Sequence, residues 1–520
     1  MGTTLQRLPI GIQGFEKIRE EGFLYIDKTR QVYNLTHTNQ YYFLSRPRRF
    51  GKSLLLSTIK CYYEGKRELF EGLYIATVEK DWKKHPVIYI DLNTEQYDTP
   101  EALVNKLNTI LCQYEAKWGS EPSERSLPTR FEGVIRRARE KTGLRTVILV
   151  DEYDKPMLQA IGNTELQDAY RATLKGFYGA LKSMDEHIQF AMLTGVTKFG
   201  KVSVFSDLNN LMDISMDVEY YDICGITEQE LLANFPAQID QLAEANKLTR
   251  DECIERLRKR YDGYHFEETA PGVYNPFSVL NTFKKQKFGS YWFETGTPTY
   301  LAYLLRTHNY NLEQMATCQT SAKVLDSIDA NSTNPIPVIY QSGYLTIKGF
   351  NEEFGIYQLG FPNQEVESGF VDYLMAYYTP LNDTETAFNI QCFVQDVRAG
   401  RTEQFLERLR SLFADTPYEL VKDLENHYQN VIWIVAKLMG FYVQAEYHTS
   451  RGRIDLVLKA PNYCYVMEFK LDGTAEEALA QIKAKDYTLP FQLDGQQIIR
   501  VGLNFSKEHR NIEQYVVEEC

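Results

Sequence analysis

Tyr41-Tyr42-Phe43-Leu44-Ser45-Arg46-Pro47-Arg48-Arg49-Phe50-Gly51-Lys52-Ser53 is the stretch that decides the first fold. The apolar run 41–44 reads as a buried strand, and a helical pattern follows from Ser53. A basic loop with glycine between a strand and a helix is a setting for phosphate, because free backbone N–H groups and the helix dipole favour an anion there. Gly51 lets the backbone come close to the anion. Lys52 is placed to reach the β- and γ-phosphates, and the Ser53 hydroxyl to ligate Mg2+. The candidate nucleotide contacts are therefore Arg49, Phe50, Gly51, Lys52, Ser53 and Leu54. A standard loop of this type starts with glycine where this chain has Arg46, followed by Pro47.

Further along, Val147-Ile148-Leu149-Val150 is a second apolar strand, and it ends in Asp151-Glu152. Asp151 is expected to hold Mg2+ through water and Glu152 to polarise the attacking water. Residues 189–193 form another buried run, ending at Thr194. That hydroxyl either reads the γ-phosphate or is satisfied in an ordinary strand-to-loop turn, and both readings stand. Arg48 and Arg49 either act in trans on a neighbouring nucleotide or serve the loop locally. With Val87-Ile88-Tyr89-Ile90, four short apolar strands separated by helical stretches predict a parallel sheet with helices on its faces.

The 520 residues predict about three or four domains. At 43% hydrophobic and 24% charged, the chain is ordinary globular protein with ample core. A net charge of −13 excludes a basic coat over the whole chain. Charge is segregated: residues 1–60 carry ten basic against four acidic side chains, and residues 213–268 carry six against fourteen. The basic excess coincides with the phosphate loop. The eight cysteines form no C-x-x-C pair, so neither a zinc ribbon nor a disulfide framework is expected. No apolar leader and no run near the ~20 residues of a membrane span is visible; the best candidate, 431–443, is short and holds Lys437. A cytoplasmic protein without membrane contact is the expectation.

Residues 228–245 and 250–261 read as amphipathic helices. A helix and a small hairpin through 341–359 suit a winged-helix-like module. The tail reads α-β-β-β-α-β, with strands at 442–447, 453–458, 463–469 and 498–503. In that tail Asp455 lies early in one strand, and Glu468 and Lys470 lie late in the next. Antiparallel pairing brings those ends together, and the two-residue period puts Glu468 and Lys470 on one face. Two carboxylates and an ammonium inside an apolar hairpin call for a cation: Asp455 and Glu468 as Mg2+ ligands, Lys470 to orient or deprotonate water. Glu425 on the preceding helix is a candidate further ligand, in competition with Glu446. Gln481 and Tyr487 are candidates to position Lys470 or to touch a substrate strand. Residues 421–520 hold eleven basic against fourteen acidic side chains, which leaves few cations for phosphate contacts.

At these residues the chain resembles the bacterial AAA-ATPase-like family, whose members usually carry a C-terminal PD-(D/E)XK nuclease-superfamily domain. The resemblance rests on Leu8 to Gly11, Tyr25-Ile26-Asp27-Lys28-Thr29, the loop 46–53, Asp151 to Pro156, Phe205 to Leu211 and Tyr274-Asn275-Pro276-Phe277-Ser278. Further on it includes Gly452 to Asp455, Glu468-Phe469-Lys470 and Ala478 to Ile482. It implies that Arg46 is a family feature. Tyr274-Asn275-Pro276 reads equally as the inner face of a lid or as a helix-start turn. No physical reason for the pair Asp27-Lys28 is legible.

The expected architecture is an α/β multidomain chain. A P-loop NTPase parallel sheet occupies 1–215, a helical lid 216–320, a winged-helix-like module 321–380 and a restriction-endonuclease-like α/β domain 381–520. The expected function is ATP binding, with Mg2+-dependent hydrolysis coupled to a domain that acts on or binds DNA or RNA. The alternative is a nucleotide-switch regulator whose C-terminal domain is an inactive binding module. The expected cofactors are ATP and Mg2+, and a homo-oligomer is compatible.

Overall fold

A computed structural model describes residues 6–198, 210–293, 301, 305, 312, 315, 318–326, 334–378, 383–414, 424–440, 442–449 and 451–520, the side chains of 376–377, 383–387, 424–426, 442–443, 445–446 and 448 excepted. The motif Phe205 to Leu211 lies mostly outside these residues. The chain divides into two units, Met1–Gly296 with Cys318–Val366 and Thr297–Thr317 with Glu367–Cys520.

The first unit is built on five parallel strands: β1 (Tyr41–Ser45), β2 (Val87–Asp91), β3 (Thr146–Asp151), β4 (Ile188–Gly195) and β5 (Met212–Asp213), in the order β2-β3-β4-β1-β5. Strands β1 and β3 are buried at every position, as parallel strands covered on both faces must be. The strand carrying Thr194 therefore stands between the phosphate-loop strand and the carboxylate strand, with Leu44 opposite Thr194 and Val150 opposite Leu193. Four of the five strands were legible as apolar runs. The fifth, only two residues long, has no pattern to read.

The acidic stretch after residue 225 is helical. The expected single run 228–245 is two helices, Glu228–Asn234 and Pro236–Ala245, because Pro236 has no N–H to continue a helix and begins a new one. Capping boxes at Thr227/Glu230 and Thr249/Glu252 start the first helix and the later one, Arg250–Tyr261. Leu231, Phe235, Ile239, Leu257 and Phe283 form its core, joined by Leu24 and packed by Leu8, Ile10 and Ile26. The N-terminal segment thus belongs with these helices. Asp27 accepts from the backbone N–H and hydroxyl of Thr29 and from Tyr74 N. Lys28 pairs with Glu230 at 2.6 Å, and Glu230 also accepts from Thr227 N in the capping box. That pair ties the first helices to the acidic bundle, which is the reason the sequence withheld.

The small module is a three-stranded antiparallel sheet, β6 (Gln319–Ser321), β7 (Thr346–Asn351) and β8 (Ile356–Gly360), with the helix Ile336–Gln341 between β6 and β7. The helix runs on to Gln341, and Gly343 turns the chain at φ +89°, so β7 begins at Thr346 rather than at 341.

The second unit carries β9 (Tyr442–Thr449), β10 (Gly452–Lys459), β11 (Tyr463–Leu471), β12 (Gln497–Ser506) and β13 (Asn511–Glu519), in the order β13-β12-β11-β10-β9. Only β11 and β12 pair in parallel, with the helix Ala475–Ala484 as their crossover. The expected α-β-β-β-α-β pattern is extended by β13. No helix among the described residues is long and apolar enough to cross a membrane.

Arg46, at the glycine position of a standard loop, is 1% exposed. Its guanidinium donates to the carbonyls of Ser45 (3.0 Å), Ser215 (2.7 Å) and Tyr220 (3.2 Å), and sits 3.9 Å from the Phe266 ring centroid. Burial lowers its pKa to about 10. This side chain anchors the loop from behind, where no glycine can. The variant R46G restores a standard loop start, yet it is expected to lose at least about 2 kcal/mol of stability in urea denaturation, since three carbonyls lose their donor. Unchanged stability would contradict the anchor.

Candidate functional site

The phosphate loop joins β1 to the helix Lys52–Tyr63, with Gly51 at φ +99° as its N-cap. Arg49 also has positive φ, 67°, and its guanidinium lies 4.9 Å from the Phe277 ring centroid. Phe50 is buried, edge-on to Tyr264 at 4.8 Å, and its carbonyl accepts from Gly225 N. Lys52 is 6% exposed, and its ammonium donates to the carbonyls of Arg46 (2.9 Å) and Pro47 (3.0 Å). Burial lowers its pKa, while Glu152, Asp151 and Asp154 act to raise it.

Asp151 ends β3, and Glu152 and Asp154 follow it. Asp151 accepts from Thr194 Oγ1 at 2.9 Å and from Tyr89 Oη at 3.2 Å. The Thr194 hydroxyl is satisfied, and its partner is the candidate metal carboxylate itself. Glu152 has φ +53°, an uncommon conformation for a side chain of this size. Its pKa is raised by burial and by Asp151 and Asp154, against Lys52. Asp154 has no role legible in the sequence. It is 1% exposed and accepts from Val196 N, Thr197 N and Thr197 Oγ1, so it fixes the turn after Thr194. Three carboxylates gathered around one ammonium suit a further cation, and Ser53 and Asp151 are of the donor type Mg2+ takes.

Beside the loop opens an apolar cavity of about 660 Å³, its volume continuous with solvent. Pro9, Ile26, Gly51, Leu54, Ile226 and Pro276 are among its walls. Leu54 and Phe50 face this cavity, on the helix side of the loop. Asn275 caps the helix Pro276–Lys285 by accepting from Ser278 N, with Pro276 at its first position. The helix-start reading of Tyr274-Asn275-Pro276 is thus right, and Pro276 lines the cavity as well.

The loop is also held by residues that carry no motif. Trp292 Nε1 donates to the Arg48 carbonyl at 3.0 Å, and Trp292 N donates to Glu365 Oε1 at 2.9 Å. Glu365 is fully buried, and burial raises its pKa to about 7 despite the Ser278 hydroxyl and the Trp292 N–H.

In the second unit, β10 and β11 pair antiparallel with Leu456 opposite Met467, so the register continues to Asp455 beside Glu468. Asp455 Oδ2 accepts from Phe469 N at 2.7 Å. Glu468 is 2% exposed, and its Oε2 is buried without a hydrogen-bond partner. Burial and then Asp455 push its pKa up to about 7. Gln481 bridges the cluster: its Oε1 accepts from Lys470 Nζ at 2.6 Å, and its Nε2 donates to Glu468 Oε1. Lys470 itself is 3.8 Å from Glu468. Asp455, Glu468 and Lys470 are therefore brought together as expected, and Gln481 takes the lysine-positioning place. Tyr487 does not join them: it is buried among Ile454, Val457 and Ile482. The side chains of Glu425 and Glu446 lie outside the described set. No group of three or more metal-ligating side chains occurs among the described residues. An orphaned buried carboxylate oxygen beside a second carboxylate still fits Mg2+, which commonly takes one or two carboxylates and keeps several waters.

Two family models match the chain: "Predicted AAA-ATPase" over residues 9–205 and "PD-(D/E)XK nuclease superfamily" over residues 423–515. The chain is also 35% identical over 526 residues to an "Uncharacterized protein in vnfD 5'region" of Azotobacter chroococcum mcd 1, with 99% of each chain covered.

The Glu365 carboxyl gives a pH test of the loop's support. Its folded pKa, about 7, lies above the ordinary value of 4.5. The folded chain keeps a proton that the unfolded chain releases, so this contribution to stability is complete below that ordinary value and is lost as pH rises toward 7. E365Q keeps the acceptor for Trp292 N without the charge. Its melting temperature relative to the parent is expected to climb between pH 5 and pH 8; a flat difference would contradict the assignment.

Proposed function

The chain belongs to the family that joins an AAA-ATPase-like domain to a C-terminal PD-(D/E)XK nuclease-superfamily domain, and on that footing we propose that it binds and hydrolyses ATP with Mg2+, coupled to action of its second unit on DNA or RNA. The observation that carries this reading is a pair of sites with opposite deficits. The loop 46–53 presents the buried Lys52 ammonium and free helix N–H groups to an anion. The buried Glu468 carboxyl, with one oxygen unpartnered beside the half-buried Asp455, is open to a cation.

In the first unit, the base occupies the apolar cavity beside Leu54, and Lys52 exchanges its two backbone carbonyls for β/γ-phosphate oxygens. Ser53 and Asp151 hold the metal, which neutralises phosphate charge when bound. Glu152, its proton affinity raised, takes the proton of the attacking water. Thr194 orients that site through Asp151. In the second unit, Asp455 and Glu468 hold the metal, and Lys470, set by Gln481, orients the water that attacks a phosphodiester. The proposed location is the cytoplasm, and Arg48 or Arg49 of an adjacent copy is the candidate trans arginine.

A second reading, a nucleotide switch with a catalytically inactive binding module, is favoured by the cations of the second unit. Arg451 pairs with Asp486, Lys483 with Glu518 and Lys507 with Asp472, so these charges are already committed within the unit. Weak or partner-assisted nucleic-acid binding follows.

Mg2+-dependent ATP turnover is expected to fall at least about 100-fold in K52A, in line with the loss of a transition-state charge partner. Equal turnover in parent and variant would sink the ATPase reading. For the second unit, the parent is expected to cut DNA or RNA with Mg2+ or Mn2+, and D455A with K470A to cut neither. A parent that cuts neither under any divalent metal would leave the binding-module reading standing.

A further inference from the structure

The turn after Thr194 is held amide by amide. Arg46 N donates to the Gly195 carbonyl at 3.2 Å. Val196 N and Thr197 N donate to Asp154, which follows the carboxylate strand. The next amide, Lys198 N, donates at 2.6 Å to Gln341 Oε1, a side chain of the small module. Gln341 is 5% exposed, and its Nε2 donates to the Leu325 carbonyl at 2.5 Å, so the amide is locked from both ends. Two residues later, Gly343 seats the module on the phosphate loop. A Cβ there would lie 2.6 Å from both Cβ and Cγ of Pro47, and φ is +89°, so only glycine fits. Pro47 is the residue whose carbonyl holds Lys52. Tyr344 then packs edge-on to Trp292 at 5.2 Å, and Trp292 holds the Arg48 carbonyl.

Within the first unit, residues 341–344 therefore touch the two segments that flank the phosphate position: the loop before Lys52 and the turn after Thr194. We propose that Gln341 is a positioning residue for the γ-phosphate end of the nucleotide, acting through Lys198 N on the segment that carries Thr194. Gly343 buttresses the loop from the same element. This rests on the nucleotide reading above and deepens it: the small module is part of the phosphate site. Base and α/β-phosphate contacts lie on the other side of the loop, at the cavity and the helix start, so they do not depend on Gln341.

The test compares binding of Mg·ADP and Mg·ATPγS to the full chain, to Q341M and to Q341E, with melting temperatures alongside. Q341M keeps the side chain's length and removes both hydrogen bonds. Q341E supplies the acceptor for Lys198 N and, protonated in so buried a place, a donor for Leu325. Q341M is expected to bind ADP within about twofold of the parent and to lose its preference for ATPγS by about fivefold or more, a shift typical of coupled sites. Q341E is expected to keep that preference. A parental ATPγS-to-ADP ratio in Q341M overturns the proposal. So does an equal loss of both nucleotides in Q341M and Q341E with a lowered melting temperature, since that marks a purely structural role. A parent that binds neither nucleotide rejects the nucleotide reading itself, and the proposal with it.

Discussion

Two cations buried within one short loop impose the constraint on which the first unit is built. Arg46 and Lys52 both lose water on folding, and neither has a carboxylate within ion-pair distance among the described residues. Burial of an ammonium or guanidinium without a partner is costly. The fold answers with backbone: five carbonyls take the two side chains, three for Arg46 and two for Lys52. Two of the Arg46 acceptors come from the chain just beyond β5, which explains why so short a strand is needed at the sheet edge. The carboxylates at the end of β3 act on Lys52 without forming an ion pair with it, so the ammonium remains available for exchange onto an anion.

The second unit has the opposite imbalance. Glu468 and Asp455 meet across one hairpin, and Glu468 is left incomplete: Lys470 is drawn toward Gln481, and one oxygen of Glu468 has no partner among the described residues. A folded protein keeps such a group when something else completes it. One unit thus lacks an anion and the other a cation. Under the proposed function, polyphosphate with Mg2+ would supply the first, and a divalent metal on a phosphodiester the second.

Much of this was legible in the sequence because buried parallel strands write themselves as apolar runs. Glycine, lysine and serine at a strand-to-helix turn, and paired acids at a strand end, have few other uses in combination. The juxtaposition of Asp455, Glu468 and Lys470 followed from antiparallel pairing together with the two-residue period. What escaped has physical reasons. Strand β5 is too short for a pattern. Tyr487 looks polar in a string of letters, but its ring fills a core. The roles of Arg46, Asp27-Lys28 and Asp154 lie in backbone acceptors, amides and an ion pair far away in sequence, Lys28 and Glu230 being 202 positions apart. Gln341 and Trp292 likewise act on backbone atoms of the loop and its neighbouring turn, and a backbone partner leaves no mark in composition or spacing. The acidity that excluded a basic coat turns out to be partly internal, with Glu230 and Glu365 serving as structural acceptors.

The central claim is that the loop 46–53 rests with its lysine on its own carbonyls and gives that lysine to a nucleotide. A crystal structure of the full chain with Mg2+ and a non-hydrolysable ATP analogue tests it most directly. The account predicts Lys52 Nζ moved from the Arg46 and Pro47 carbonyls onto phosphate oxygens, Ser53 and Asp151 at one metal, and the base against Leu54. A nucleotide bound elsewhere, or Lys52 still on those two carbonyls with the analogue in place, would contradict it.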